Sequence, residues 1–463
     1  MKSTIQILPF FLLLTLLFPQ CQEESGSQLS GQVIDAYTST PLMDVQIILL
    51  ENNAITTTNE KGNFGFSEMD LAALPNKVVG LQLSMEGYRP LEINATIDEN
   101  NAIKLSPADI PVYYYHQPVQ LSDGIPTGTI QDINMDQQLI QNMMDNLVRD
   151  KYKEIHSLLV YKDDMLVLEE YYYGNNDTID FEHGVVVDRQ PAPIQWSRED
   201  KHYVASANKA LTGTIAGMVL AQEGISSDEA ISQYLPDYAS YFTDPNKAQV
   251  TLHHCLNMTA GFQWDEWSGN DLKDLWKSQD FAGFVLSRNN MSPDSEWRYN
   301  SALPNLTLRA LSNILDQDIR DWADENFYQA LGITDYKWQS QPDGIPEGSA
   351  RMYLRPRDML KIGITLLNDG QWSGQQIIPQ AWVAKCMEVQ ENTDSGDYSH
   401  GFWLRELDGI KYLSAEGDGG NFINVFPEQN MVIVMTQGNY LKWPIYVDQM
   451  DDMMKNYIFP AVF

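Results

Sequence analysis

Between residues 29 and 106, apolar positions alternate with polar ones in several short runs. A period of two predicts strands with one buried face, and the sequence Asn-Glu-Lys-Gly at 59–62 is typical of a turn between two of them. We therefore predict a small all-β sandwich over 29–106. The apolar residues of this alternation are Val45, Ile47, Leu49, Phe64, Phe66, Leu81 and Leu83.

Helical periodicity begins after residue 136. Leu139, Met143 and Leu147 fall on one stripe of an amphipathic helix, and the following residues 155–174 form a hairpin that turns at 162–164. The proline-containing segment 107–135 predicts a linker. A second domain is therefore expected over 136–463.

The segment 203–224 predicts a buried helix that begins at Ser206 and ends at Gly224. It is apolar on nearly every side after Lys209, so its lysine is expected to be buried as well. Ser206 and Lys209 are three residues apart and share one face of the first turn. A buried amine beside a hydroxyl is suited to activating a nucleophile. The alternative is a helix-capping serine beside a surface lysine.

A second stretch with candidate chemistry precedes the apolar helix 303–315. Tyr299 is able to relay protons if it meets Ser206 and Lys209, and otherwise it is a packing residue. Trp264, Trp267 and Trp297 are expected in the core, with a pocket lining as the alternative.

Two strands are expected to close the chain, at 413–427 and 431–439. Gly417, Gly419 and Gly420 at the head of the first allow close approach of backbone or substrate.

The order of elements excludes one large class of hydrolases. The serine arrives on a helix after an antiparallel hairpin, and no Gly-x-Ser-x-Gly sequence occurs, so an α/β-hydrolase elbow is not present. His253, His254 and Cys255 are consecutive and therefore point in different directions on a helix, which argues against a metal site. No metal and no organic cofactor are predicted.

The charge and the chain start restrict the location and partners. A net charge of −33 argues against nucleic acid and against direct attraction to an anionic membrane. Residues 1–21 have the profile of a secretory signal, and Cys21 at its end resembles the lipidated cysteine of a bacterial lipoprotein, with ordinary secretion as the alternative. Cys255 and Cys386 are expected to be buried apolar residues rather than a disulfide bridge. The protein is thus expected in the cell envelope.

Residues 29–106 resemble the carboxypeptidase-regulatory-like module. The segments "SGQVIDAYTSTPLMDVQIIL" and "TTTNEKGNFGF" carry its glycine opening, its Pro-Leu turn and its Asn-x-x-Gly-x-Phe strand. The resemblance implies a spacer or docking module rather than chemistry.

The chain from about 119 to 463 resembles the serine β-lactamase and penicillin-binding-protein superfamily. It is most similar to the class C β-lactamase-like branch, which includes esterases, D-amino-acid peptidases and 6-aminohexanoate-dimer hydrolases. The order of hairpin, Ser-x-x-Lys helix, "LNMTAGF", tyrosine motif, "RPRDMLKIG" and glycine-rich strand carries the resemblance. It implies an α/β (α+β) fold of the β-lactamase/transpeptidase type, with an antiparallel sheet flanked by helices and an all-helical subdomain.

The resemblance also implies roles for individual residues. Ser206 matches the nucleophile, whose N–H is one half of an oxyanion hole, Lys209 matches its activating amine, and Tyr299 matches the base or proton relay. These roles imply a two-step hydrolysis of an amide or ester bond in a small molecule or peptide, through an acyl-enzyme.

Two motifs depart from the family pattern. The third position of the Tyr-x-Asn motif is Ser301, and the Lys/His-Thr-Gly motif falls on Ala415, Glu416 and Gly417, without its cation. The second oxyanion N–H is expected from Asp418, beside Gly417. The missing cation argues against β-lactams and peptide carboxylates as substrates but leaves acyl transfer intact. The alternative to an active serine hydrolase is a surface binding or sensor protein that retains the fold.

Overall fold

The computed structural model describes residues 28–36, 40–72, 74, 76–108, 114–148, 151–180, 186–188 and 193–462. The chain divides into two compact units, Met1–Val112 and Tyr113–Phe463. The predicted signal segment 1–21 and Cys21 lie outside the described residues. No helix among the described residues is long and apolar enough to cross a membrane.

The first unit contains two sheets around one apolar core, as the alternating pattern predicts. Leu29–Asp35 lies between an antiparallel and a parallel neighbour in the three-stranded sheet, and the four-stranded sheet is antiparallel throughout. In order across the sheets, the strands are Asn63–Phe66, Leu29–Asp35 and Asn100–Leu105, and then Ala54–Thr57, Gln46–Leu49, Val78–Ser84 and Leu91–Thr96. A short helix, Glu68–Leu71, follows the Asn63–Phe66 strand.

Every apolar residue of the predicted alternation is buried. Val45, Ile47 and Leu49 are fully buried on one face of their strand, while Gln46 on the other face is exposed. The turn at 59–62 closes with Gly62 at a φ of +72°, a conformation that side chains with a Cβ rarely adopt. The first unit is therefore a β-sandwich whose register the sequence pattern sets.

An antiparallel sheet of eight strands forms the centre of the second unit. In order across the sheet, its strands are Glu391–Thr393, Gly396–Ser399, Phe402–Leu407, Ile410–Gly417, Asn421–Phe426, Met431–Gln437, Ile155–Lys162 and Met165–Tyr171. Smaller sheets pair Tyr173–Gly174 with Ile194–Gln195, Thr178–Asp180 with Val186–Asp188, Gln371–Trp372 with Gln375–Gln376, and Met352–Leu354 with both His202–Tyr203 and Lys337–Trp338.

Both faces of the central sheet are covered. Along the strand Ile155–Lys162, Leu158 and Val160 belong to one apolar core, while Leu159 and Tyr161 belong to the other. This is why the central strands are apolar at nearly every position instead of alternating with polar residues. The α-helices of the second unit are Gln137–Val148, Asn208–Glu223, Leu252–Leu256, Asp271–Lys277, Phe281–Leu286, Leu303–Leu315, Ile319–Ala323, Pro356–Leu367, Gln380–Cys386, Ile445–Met453 and Phe459–Val462.

The predicted helix 203–224 begins later than expected. A 3₁₀ turn covers Ala205–Ala207 and the α-helix runs over Asn208–Glu223, so Ser206 precedes the α-helix instead of opening it. Its end is as predicted, with Gly224 in the left-handed conformation. All residues from Asn208 to Leu220 are buried, which confirms the expectation of a core helix.

The prediction of one strand over 413–427 is wrong. The chain forms the strand Ile410–Gly417, reverses at 418–420, and returns as Asn421–Phe426, with Gly417 paired to Asn421. Gly419 and Gly420 have φ of +85° and +95°, so the glycines make a hairpin turn. The turn places Gly417 and Asp418 together at the end of a central strand.

The segment 107–135, expected as a linker, packs on the second unit from residue 114 onward. Ile125 and Ile130 are fully buried. Arg357 donates to Asp123 at 2.7 Å and holds the Glu169 carboxylate through two nitrogens, at 2.8 and 2.7 Å. Because three charges share one buried network, this segment is fixed to the sheet and to the helix Pro356–Leu367.

Candidate active site

The turn that carries Ser206 has an unusual backbone. Ala205, immediately before the serine, has a φ of +48° although it is not a glycine. Val204 and Ala205 are buried, whereas Ser206 is only partly buried. Strained conformations of this kind persist where the surrounding structure fixes them, and they are concentrated at functional sites. The turn therefore presents one hydroxyl from an otherwise buried segment.

Lys209 contacts the hydroxyl of Ser206. Its Nζ lies 2.9 Å from Ser206 Oγ and 3.1 Å from the carbonyl oxygen of Ser349. The side chain is 2% exposed, and Nζ lies 4.8 Å from the centre of the Tyr299 ring. A buried amine is costly unless it has such partners. The structure thus brings together the three residues that were predicted as catalytic.

A buried carboxylate, that of Glu347, holds the segment whose Ser349 carbonyl accepts a hydrogen bond from Lys209. Glu347 is 0% exposed, and its carboxylate accepts the backbone N–H groups of Ser349, Ala350 and Arg351, at 3.1, 2.6 and 2.9 Å. It also accepts the Ser349 hydroxyl and, at 2.9 Å, the Asn305 amide. Such a set of donors stabilises a buried anion. Glu347 therefore fixes the carbonyl of Ser349 against Lys209.

Tyr299 lies within a stack of aromatic rings. Its ring is 5.7 Å from that of Trp267 and 6.1 Å from that of Trp403, with interplanar angles of 16° and 15°. The ring of Trp297 lies 6.2 Å away and is tilted by 48°. No described residue is hydrogen-bonded to the Tyr299 hydroxyl, so stacking rather than hydrogen bonding fixes the ring. Catalytic hydrogen bonds are often absent without substrate.

Ser301 is engaged by an acidic residue. Its hydroxyl donates to Glu266 at 2.5 Å and its N–H donates to the same carboxylate at 3.1 Å. Trp264 donates its indole N–H to Glu266 at 2.6 Å. The predicted substrate-binding serine is buried and already paired, and Glu266 links the tyrosine motif to the tryptophan-rich segment.

The strand Ile410–Gly417 meets the serine turn at its last residue. A Cβ on Gly417 would lie 1.9 Å from the carbonyl oxygen of Val204, so only glycine allows this approach. Ala415, which the sequence resemblance assigns to the first position of the Lys/His-Thr-Gly motif, is buried. Glu416 is held by Arg405, whose Nε and Nη2 lie 2.7 and 2.9 Å from its two oxygens.

Asp418 follows at the hairpin turn. Its carboxylate accepts the N–H of Leu441 at 3.0 and 3.2 Å. Burial raises the pKa of Asp418, while the N–H groups of Leu441 and Gly419 act in the opposite direction. Burial, with the neighbouring charge of Glu416, also raises the pKa of Asp451 to about 6. Asp418 therefore lies in a buried setting at the hairpin turn, and the guanidinium of Arg405 is already paired with Glu416.

The remaining candidates form no further site. Among the described residues, no group of three or more His, Cys, Asp or Glu could hold a metal ion. Cys255 and Cys386 are buried and unbridged, and burial raises the pKa of both thiols. Trp264 is buried in the core as predicted, whereas Trp267 is 81% exposed.

Sequence reasoning missed Glu347, Ser349, Glu266 and Arg405. Ser349, which Glu347 holds in place, reaches Lys209 only because the chain folds back from 140 residues away. No local pattern marks such a contact. Glu266 lies in a mostly polar segment, 263–271, and gave no such signal either.

Comparisons with known proteins agree with this arrangement. The sequence profile of the Beta-lactamase family matches residues 140–443. The chain belongs to the Beta-lactamase family. The profile of the CarboxypepD_reg-like domain matches residues 29–110. In a search of curated proteins, no sequence matched.

Solved structures share the fold at low sequence identity. A protein described as a 6-aminohexanoate-dimer hydrolase from Bacillus anthracis is 19% identical, with a TM-score of 0.55 over 69% of this chain and 81% of that one. Simvastatin synthase (LovD) from Aspergillus terreus is 16% identical, with a TM-score of 0.53 over 70% and 97%. A penicillin-binding protein from Bacillus halodurans is 17% identical, with a TM-score of 0.50 over 69% and 100%.

The family and fold confirm the expected architecture, a β-lactamase-like domain with an N-terminal β-sandwich module. They support a serine-hydrolase type of enzyme acting on a small molecule or peptide.

Proposed function

We propose that this member of the Beta-lactamase family hydrolyses an amide or ester through an acyl-enzyme on Ser206. The observation that carries the proposal is the buried Nζ of Lys209, 2.9 Å from Ser206 Oγ. An amine in this position accepts the hydroxyl proton when it is neutral.

The reaction has two balanced halves. Ser206 Oγ bonds to the substrate carbonyl carbon and its proton passes to Lys209, while the N–H groups of Ser206 and Asp418 stabilise the oxyanion. The intermediate collapses as the bond to the leaving group breaks, and the leaving group takes a proton through Tyr299. Water then attacks the acyl group, its proton returns through the same residues, and Ser206 leaves as the free hydroxyl.

The proposed function is tested by covalent labelling with a fluorophosphonate probe. We expect labelling of the wild type, complete loss in Ser206→Ala, and unchanged labelling in Ser287→Ala, which removes an exposed serine at a helix end. The second candidate, a binding or sensor protein, is favoured by Ala415 in place of the family's cation. Absence of labelling by both fluorophosphonate and penicillin probes would support that candidate and contradict the enzyme.

We further propose that the protein is exported and held at the cell envelope by a lipid on Cys21. The support is the apolar run from Ile5 to Phe18 followed by this cysteine. Cys21→Ser should move the full-length protein from the membrane fraction to the soluble fraction after cell fractionation, with Cys255→Ser as the control that does not. Unchanged partitioning of Cys21→Ser would contradict the lipid anchor.

A further inference from the structure

Two tryptophans of the second unit are largely exposed, and both adjoin the candidate active site. Trp267 is 81% exposed and Trp443 is 75% exposed. Indole rings bury a large apolar area when they are covered, so exposed ones beside a cleft mark a surface that binds an apolar partner.

Trp267 is fixed against the proposed proton relay. Its ring stacks on that of Tyr299, with the ring centres 5.7 Å apart and an interplanar angle of 16°. The turn that carries it is held by Asp265, whose carboxylate accepts the N–H groups of Trp267 and Ser268 at 3.2 and 2.9 Å. The indole therefore lies beside the ring of Tyr299, the proposed proton relay.

Trp443 lies in the segment 441–446, which contacts Asp418. Leu441 donates its N–H to Asp418, and Tyr446 is close enough to Asp418 and Tyr299 for their charges to add to the burial that raises its pKa. Between these two anchors, Leu441, Trp443 and Ile445 are 58%, 75% and 46% exposed. The segment thus presents an apolar strip next to the proposed oxyanion hole.

Neither Arg405 nor Ala415 supplies a free cation for an anionic substrate. The guanidinium of Arg405 holds Glu416, the residue after Ala415, and is occupied by both oxygens of Glu416 and by the carbonyl of Ser395 at 2.6 Å. Ala415 offers no charge. A substrate carboxylate there would lose its hydration without gaining an ion pair.

We propose that Trp267 and Trp443 form two apolar subsites, for the leaving group and the acyl group respectively, of an uncharged ester or amide. This inference rests on the proposed function and adds the substrate class. The leaving group is assigned to Trp267 because this ring is stacked on Tyr299. The acyl group is assigned to Trp443 because its segment adjoins Asp418.

The test compares matched esters with the full-length protein. We expect Trp267→Ala to lower kcat/KM about tenfold for 4-nitrophenyl acetate but not for methyl phenylacetate, because one apolar contact of this size changes specificity by roughly 10-fold or more. Trp443→Ala should lower it similarly for methyl phenylacetate but not for 4-nitrophenyl acetate. Tyr173→Ala, which removes an exposed tyrosine in a different small sheet, is the control and should change neither.

A charged probe tests the substrate class. 4-Nitrophenyl hydrogen succinate should react at least about tenfold more slowly than 4-nitrophenyl butyrate. Equal rates for this pair, or unchanged ester preferences in both tryptophan variants while hydrolysis still depends on Ser206, would overturn the subsites and leave the proposed function standing. Absence of Ser206-dependent hydrolysis overturns the proposed function instead. Binding to phosphatidylcholine vesicles is measured with Ser206→Ala alone and combined with Trp267→Ala or Trp443→Ala. If the tryptophan substitutions abolish vesicle binding while the active tryptophan variants keep the wild-type ester preferences, the tryptophans belong to a lipid-binding surface and the subsites are overturned.

Discussion

Ser206→Ala and Lys209→Ala should each lower kcat/KM by on the order of a thousandfold, and the double variant should be little worse than either single one. The two groups are 2.9 Å apart, and the lysine is buried. Once the hydroxyl is gone the amine has no proton to accept, and once the amine is gone the hydroxyl is a poor nucleophile. The measurement is steady-state hydrolysis of a 4-nitrophenyl ester.

Lys247→Ala is the matched control for the lysine. Lys247 is also buried, but its Nζ donates to the carbonyl of Leu286 at 2.6 Å and does not contact Ser206. We expect this variant to lose stability while the folded protein keeps its kcat/KM. If the losses from Ser206→Ala and Lys209→Ala multiply in the double variant, the two residues do not act as one unit.

Glu347→Ala should be the most damaging substitution away from the reacting atoms. It leaves three backbone N–H groups, the Ser349 hydroxyl and the Asn305 amide without their buried acceptor. We expect a loss of about 3–5 kcal/mol in the free energy of unfolding, the range for breaking a buried charged network. Chemical denaturation followed by circular dichroism measures it.

Glu347 is a positioning residue in this proposal, since it acts on Lys209 through the carbonyl of Ser349. In the folded variant kcat should therefore fall by at least about tenfold with little change in KM, because the contact is needed for the chemical step. Glu347→Gln keeps one acceptor oxygen and should recover part of both losses.

Glu169→Ala distinguishes positioning from stability alone. This buried carboxylate pairs with Arg357 and has no contact with Lys209 or Ser349. It should cost a similar free energy of unfolding but leave kcat of the folded protein near the wild-type value. An equal fall in kcat for Glu169→Ala, or an unchanged kcat for Glu347→Ala, would contradict the positioning role.

Much of the fold follows from short sequence patterns and can be predicted from them. The turn at Asp163 and Asp164 was placed correctly, because two consecutive residues with φ of +49° and +65° fit the twist of a tight hairpin. The helix Leu303–Leu315 matches its prediction at both ends. Gly417 makes the predicted close approach to backbone, but the chain reversal at Gly419 and Gly420 was not predicted, because glycine permits both.

Part of the candidate site could also be predicted from the sequence. Three positions, Ser206, Lys209 and Tyr299, follow from motif spacing and family resemblance, and the tertiary structure brings them together as expected. Their roles remain predictions that the proposed variants test.

The sequence by itself determined the two-part organisation and the buried helix that carries Lys209, because composition and periodicity are properties of neighbouring residues. Only the tertiary structure decided what surrounds the lysine and the cleft. The carbonyl of Ser349, held in place by Glu347, reaches Lys209 through a fold-back of the chain. Contacts of this kind depend on which distant segments pack together, and no local pattern records that choice.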